Sequence, residues 1–141
     1  MNETIGLNAL AAQVHDNAVA HGFWDGPWNF GEQIALMHSE LSEALEAHRA
    51  GMPDEYALHH PGCPNRLFID DRGDSLFAAP SLRPATDGCI GCKPEGVAVE
   101  LVDCLTRILD TLHARGADIE QIVARKMAYN AGRPAMHGKA Y

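Results

Sequence analysis

Val97-Ala98-Val99-Glu100-Leu101-Val102-Asp103-Cys104-Leu105-Thr106-Arg107-Ile108-Leu109-Asp110-Thr111-Leu112-His113-Ala114, residues 97–114, decides the fold. Its apolar residues recur at helical rather than alternating spacing and cover most of the circumference, so it reads as the central helix of a helical protein. Arg115-Gly116 closes it. Asp118 then caps a fourth helix from Ile119 to about Ala131, with Ile122, Val123, Met127 and Tyr129 as its apolar positions and Gly132 and Pro134 as its stop.

Two further helices precede it. Ile5, Leu7, Leu10, Ala11, Val14, Ala18 and Val19 make an apolar stripe over residues 5–22, ended by Gly22. Ile34, Leu36, Met37, Leu41, Ala44, Leu45 and Ala47 make another from about Gly31 to Ala50, ended by Gly51 and Pro53. The expected fold is therefore all-α, a bundle of about four helices. Residues 52–95 interrupt it as a Pro/Gly-rich, Cys-containing insert between helices two and three. Six of the 8 prolines lie in residues 51–96. Within it, residues 66–70 read as a short strand, with a second near residues 75–78. A loop of this length needs something to order it.

The chain has 141 residues, which is one domain, residues 1–141, large enough to fold without disulfides. Hydrophobic residues are 46% and charged residues 21%, too apolar for disorder. Lys+Arg 11 against Asp+Glu 19 gives a net charge of -8, which argues against a nucleic-acid polymer as partner. No apolar run reaches the ~18 residues of a membrane span. The start, Met1-Asn2-Glu3-Thr4, lacks the basic and apolar pattern of a signal peptide, so the expected location is cytoplasmic.

The carboxylates carry the chemistry. Glu40-Leu41-Ser42-Glu43 on helix two and Glu100-Leu101-Val102-Asp103 on helix three each place two carboxylates one turn apart on a helix face. Both pairs sit among apolar residues. Four carboxylates gathered on such helices need a cation, and Mg²⁺, which accepts carboxylates together with water and phosphate oxygens, suits them. The competing reading is two solvated acidic faces. A di-iron bundle would need Glu-x-x-His twice; only Asp110-Thr111-Leu112-His113 comes near it, out of step with the other pairs.

A basic end complements the acidic pairs. From Gln121 to Tyr141 there is no Asp or Glu, while Arg125, Lys126, Arg133 and Lys139 all fall there. Lys126, Asn130, Arg133 and Lys139 are candidate phosphate ligands, although cations at a helix end are also favoured by the dipole alone. In the insert, Cys89-Ile90-Gly91-Cys92 with Cys63 and His60 would make a tetrahedral Zn²⁺ site. Free thiols are the alternative. Cys104 reads as a buried packing residue. Trp24 and Trp28, before helix two, pack between helices, or, were the chain a nucleotide enzyme, one of them would stack on the base and Asn29 would read its edge.

Further segments join the carboxylate pairs in one pattern. They are His38-Ser39-Glu40-Leu41-Ser42-Glu43-Ala44-Leu45-Glu46, Lys93-Pro94-Glu95-Gly96-Val97, and the tail with Lys126, Tyr129, Asn130, Arg133, Pro134, His137, Gly138 and Lys139. Together they resemble the MazG-like nucleotide pyrophosphohydrolases of the all-α NTP pyrophosphohydrolase superfamily. The resemblance covers residues 1–51 and 93–141; residues 52–92 have no counterpart in the compact family members. It implies a helical bundle working as a homodimer or homotetramer. The implied enzyme is a Mg²⁺-dependent hydrolase, with Mn²⁺ as a possible substitute, that converts a nucleoside triphosphate to a monophosphate and pyrophosphate. Glu40, Glu43, Glu100 and Asp103 would be the metal ligands, and Glu40 or Glu43 would accept the proton from the attacking water. A house-cleaning or nucleotide-pool role follows. Phosphoribosyl-ATP pyrophosphohydrolase is a related alternative. A zinc-stapled interaction module without catalysis is an alternative of another class.

Overall fold

The computed structural model of the chain describes residues 5–58 and 93–134. Four helices dominate them: α1 (Leu7–Ala20), α2 (Phe30–Arg49), α3 (Val97–Ala114) and α4 (Ile119–Ala131). Two three-residue strands, β1 (Tyr56–Leu58) and β2 (Lys93–Glu95), pair antiparallel. The fold is all-α, with one minimal ladder among the described residues. The strands expected at residues 66–70 and 75–78, and the cysteines and histidine of the insert, lie outside the described residues.

The helices begin and end where local chemistry dictates. Asp118 caps α4 by accepting from the Gln121 backbone N–H at 3.1 Å. Asn29 caps α2: its side-chain oxygen accepts from the backbone N–H of Gly31 (2.9 Å) and Glu32 (3.3 Å). Gly51, just past α2, takes φ +70°, a left-handed conformation that ends a helix cheaply only in glycine.

The chain divides into two compact units. The first comprises the described residues of Met1–Gln33 and Thr106–Tyr141, the second those of Ile34–Leu105. α3 contributes to both, its first half to the second unit and its second half to the first.

In the first unit Ala11, Leu109 and Ile119 form a buried core, with Leu10, Val14 and Leu112 packed against it. Asn8 ties the starts of α1 and α4. Its amide donates to Asp118 Oδ1 at 3.0 Å and its oxygen accepts from the Ile119 N–H at 2.8 Å. Glu120 returns the contact, accepting from the Asn8 N–H at 3.3 Å. Two helix N-termini thus satisfy each other's orphan donors. Asn8→Ala should cost about 1 kcal/mol in urea unfolding, because it leaves the Ile119 N–H without its acceptor.

A second cluster of the same unit gathers around Asp110. Its Oδ1 accepts from His15 Nδ1 at 2.7 Å, and the Trp24 indole N–H reaches Oδ1 and Oδ2 at 3.2 and 3.3 Å. The His15 ring meets Trp24 edge-on at 4.9 Å and lies 4.8 Å from the His113 ring. Trp28 stacks parallel to Trp24 at 6.1 Å, and Phe30, with the Arg115 guanidinium over its face at 5.0 Å, completes the row.

In the second unit the connection between α2 and α3 is fixed at two points. Carbonyls of Pro53 and Asp54 accept from the first N–H groups of α3, Val97 (3.0 Å) and Ala98 (2.9 Å). Gly96 makes this possible. It sits at φ +129°, and a Cβ there would lie 2.6 Å from the Asp54 carbonyl oxygen and 2.7 Å from that of Pro53. The β1–β2 register, Tyr56↔Glu95 to Leu58↔Lys93, is the other point.

Residues 59–92 therefore leave and return at paired positions, so the ladder closes the unit whatever the intervening length. Replacing residues 59–92 by a two-residue Asn-Gly turn should keep the helical circular dichroism and cooperative unfolding of the full chain. Loss of either would show that the unit depends on that segment.

α3, expected to be the central helix, is covered only in part. Its buried positions include polar Glu100 and Thr111 along with Cys104 and Leu109, whereas Leu101, Val102 and Leu105 are about half exposed. α2 repeats this, with Glu40 and Ala44 buried and Leu41 and Leu45 exposed. Periodicity reports which face is apolar, not whether the same chain covers it. α4 also presents Ile122, Val123, Met127 and Tyr129 to solvent.

Candidate metal centre

Glu40, Glu100 and Asp103 each offer a carboxylate oxygen, and these oxygens lie within 4.8 Å of one another. All three belong to the second unit. Glu40 comes from the middle of α2, Glu100 and Asp103 from the first two turns of α3, where the Gly96 junction holds the helix start. Burial is deep for two of them: Glu40 is 7% exposed and Glu100 8%, while Asp103 is exposed.

Such an arrangement has an electrostatic cost. The Glu100 carboxyl is held above the ordinary carboxylate value, first by burial, then by the charges of Glu43 and Glu95, a hydrogen bond with Glu95, and the charge of Asp103. A carboxyl raised in the folded state binds its proton more tightly there than when unfolded. Its contribution to stability is present below the unfolded value of 4.5 and is lost as pH rises through the folded value. The metal-free protein should therefore lose stability across that interval, and Glu100→Gln should flatten the loss while raising the neutral-pH melting temperature. Urea unfolding of both proteins across the interval measures it; an unchanged slope in the variant would contradict the assignment.

The donors fit a hard divalent cation. They are all oxygens, the burial of Glu40 and Glu100 makes a neutralising charge favourable, and a mutual reach of 4.8 Å leaves a small inward movement to the ~3–4 Å that separates oxygens around an ion at ~2.1 Å. Glu43 is placed differently from the other three expected ligands. It is exposed and outside the group of mutual reach, yet near enough for its charge to act on Glu100.

Two neighbours of this cluster escaped the sequence reading of the site. Lys93 and Glu95 stand two residues apart on β2, hence on one side of the strand, and their side chains form an ion pair. The Lys93 ammonium is held above its ordinary range chiefly by the bond to Glu95 and its charge, with smaller contributions from Glu100 and Asp103. Lys93-Pro94-Glu95 carries its two charges at alternate positions just ahead of α3, but nothing in so short a segment marks it as a strand.

The remaining expected site residues lie in the first unit or outside the described residues. Lys126 and Arg133 both face the Tyr129 ring, each 5.6 Å from its centroid, and Asn130 is exposed between them. Trp24 is anchored through its indole N–H to Asp110, and Asn29 spends its oxygen on capping α2. Trp28 remains partly open, at 39% exposure. Lys139, His60, Cys63, Cys89 and Cys92 are outside the described residues. No helix among the described residues is long and apolar enough to cross a membrane. Compared with protein-family models, with curated proteins and with solved structures, the chain matches none.

Proposed function

We propose that the protein is a Mg²⁺-dependent nucleoside triphosphate pyrophosphohydrolase of MazG-like type, converting a (d)NTP and water to a (d)NMP and pyrophosphate. The observation that carries this reading is the convergence of Glu40, Glu100 and Asp103, from two helices far apart in sequence, within 4.8 Å. A bound Mg²⁺, or Mn²⁺ in its place, would supply charge neutralisation for the phosphates and a more acidic water.

The chain's own residues divide the remaining work. Glu40, Glu100 and Asp103 hold the ion. Glu43, exposed and one turn along α2 from Glu40, accepts the proton of the attacking water at a carboxylate oxygen. Lys126, Asn130, Arg133 and Lys139 bind phosphates, Arg133 as the bidentate partner. Trp28 is the more accessible of the two tryptophans for stacking on a base, at 39% exposure.

A second copy of the chain covers the exposed leucines and valine of α2 and α3, giving a homodimer or homotetramer. Support comes from the inverted burial of these helices, polar side chains inside and Leu41, Leu45, Leu101, Val102 and Leu105 outside. The role is control or cleaning of the cytoplasmic nucleotide pool. A panel of ordinary and damaged nucleoside triphosphates, with phosphoribosyl-ATP included, assayed for pyrophosphate release with Mg²⁺, tests the reading and separates it from its relative. Turnover of none of them would refute it.

A further inference from the structure

Lys93 is an exposed cation at the end of the ladder, ion-paired to Glu95, which directly precedes the Gly96 junction from which α3 carries Glu100 and Asp103. Its side chain is 72% exposed, so it is not part of a core. It lies at the last described ladder position, paired with Leu58, and Pro94 behind it has a fixed φ that keeps the strand extended. Glu95, only 16% exposed, holds its ammonium on one side and hydrogen-bonds Glu100 on the other. The order along this edge is thus ammonium, Glu95, Glu100, with Asp103 one turn further along α3.

We propose that Lys93 is a built-in second cation of this site, held in place by Glu95, that binds the polyphosphate of the substrate beside the divalent ion. The inference rests on the cation-site reading above. An exposed four-carbon stem lets the ammonium move between Glu95 and an incoming phosphate oxygen without any backbone change. Glu95 is then a positioning residue: it keeps the ammonium at the edge of the cluster rather than among the ion's ligands.

The charge arrangement sets opposite signs for two affinities. A positive charge kept near the carboxylates by Glu95 repels a divalent ion, so Lys93→Met should tighten binding of Mn²⁺ alone by roughly 3- to 10-fold at low salt. The same variant, saturated with Mn²⁺, should bind inorganic pyrophosphate roughly 10-fold more weakly, because a charge-assisted contact is lost. Lys93→Arg should restore the pyrophosphate affinity. A residue that only completed the ladder would move neither quantity, and one needed for folding would weaken both.

The experiment is an electron paramagnetic resonance titration of Mn²⁺ into wild type, Lys93→Met, Lys93→Arg and Glu100→Gln. Calorimetric titration of pyrophosphate into the Mn²⁺-loaded wild type and Lys93 variants follows. Tighter Mn²⁺ with weaker pyrophosphate in Lys93→Met supports the proposal; any other combination overturns it. The Glu100→Gln arm keeps the two readings apart. If wild type binds Mn²⁺ and Glu100→Gln does not, the cation site stands whatever Lys93 does. If wild type binds none, both fall.

Discussion

Glu40→Gln and Glu100→Gln are each expected to lower pyrophosphate release by roughly 10³-fold or more, about 4 kcal/mol of barrier. Both changes keep side-chain volume while removing the charge proposed to hold the ion. Both residues are buried, so water does not readily replace the lost ligand. The two variants differ in what else they do. Glu100→Gln relieves the strain of a carboxylate held among Glu43, Glu95 and Asp103, so its melting temperature in the absence of metal should rise. A variant that is more stable and inactive cannot owe its inactivity to misfolding, which makes Glu100→Gln the cleaner probe. Steady-state rates with Mg²⁺ near saturation check the prediction, and a loss smaller than tenfold in either variant would remove that side chain from the site.

Asp110→Ala is expected to cost about 2–3 kcal/mol of stability. The carboxylate accepts from both His15 and the Trp24 indole, and deleting it leaves two part-buried donors without an acceptor. For a chain of this size that is a drop of roughly 5–10 °C in melting temperature. The parallel stack of Trp24 and Trp28 depends on the same anchor, so the tryptophan fluorescence and near-ultraviolet dichroism should change with it. Asp110→Asn, which retains an acceptor oxygen, should lose less. A change below about 0.5 kcal/mol in Asp110→Ala would show that the aromatic row supports itself.

The helices were legible because apolar period and end signals agree. α3 and α4 have the boundaries that Val97–Ala114 and Ile119–Ala131 imply, and the Asp118 cap is where its side chain and the following apolar run place it. α1 and α2 differ from expectation by a residue or two at their ends, where caps decide. The β1–β2 ladder was not legible. Three-residue strands carry no period, and one contains a proline. What makes the ladder is the close approach at Gly96, a long-range backbone contact that no local pattern encodes.

The site was half legible for a related reason. Helical spacing identifies carboxylates on one face, and Glu40, Glu100 and Asp103 do meet. The same spacing places Glu43 on that face equally well, but it cannot give the angle at which two helices approach, and that angle decides which members of each pair come together. Asp110-Thr111-Leu112-His113 shows the converse. Its spacing suggested a weak metal motif, whereas the structure uses both side chains against His15, Asp110 as hydrogen-bond acceptor and His113 as a ring neighbour. Their partner lies on α1, in a part of the sequence with no motif of its own.

Chromatographic analysis of the products formed from a hydrolysed nucleoside triphosphate is the most direct test of the account. It predicts nucleoside monophosphate and pyrophosphate in equal amounts, formed with Mg²⁺ or Mn²⁺ and absent when a chelator is added. Nucleoside diphosphate with orthophosphate, or equal turnover in the presence of chelator, would contradict it.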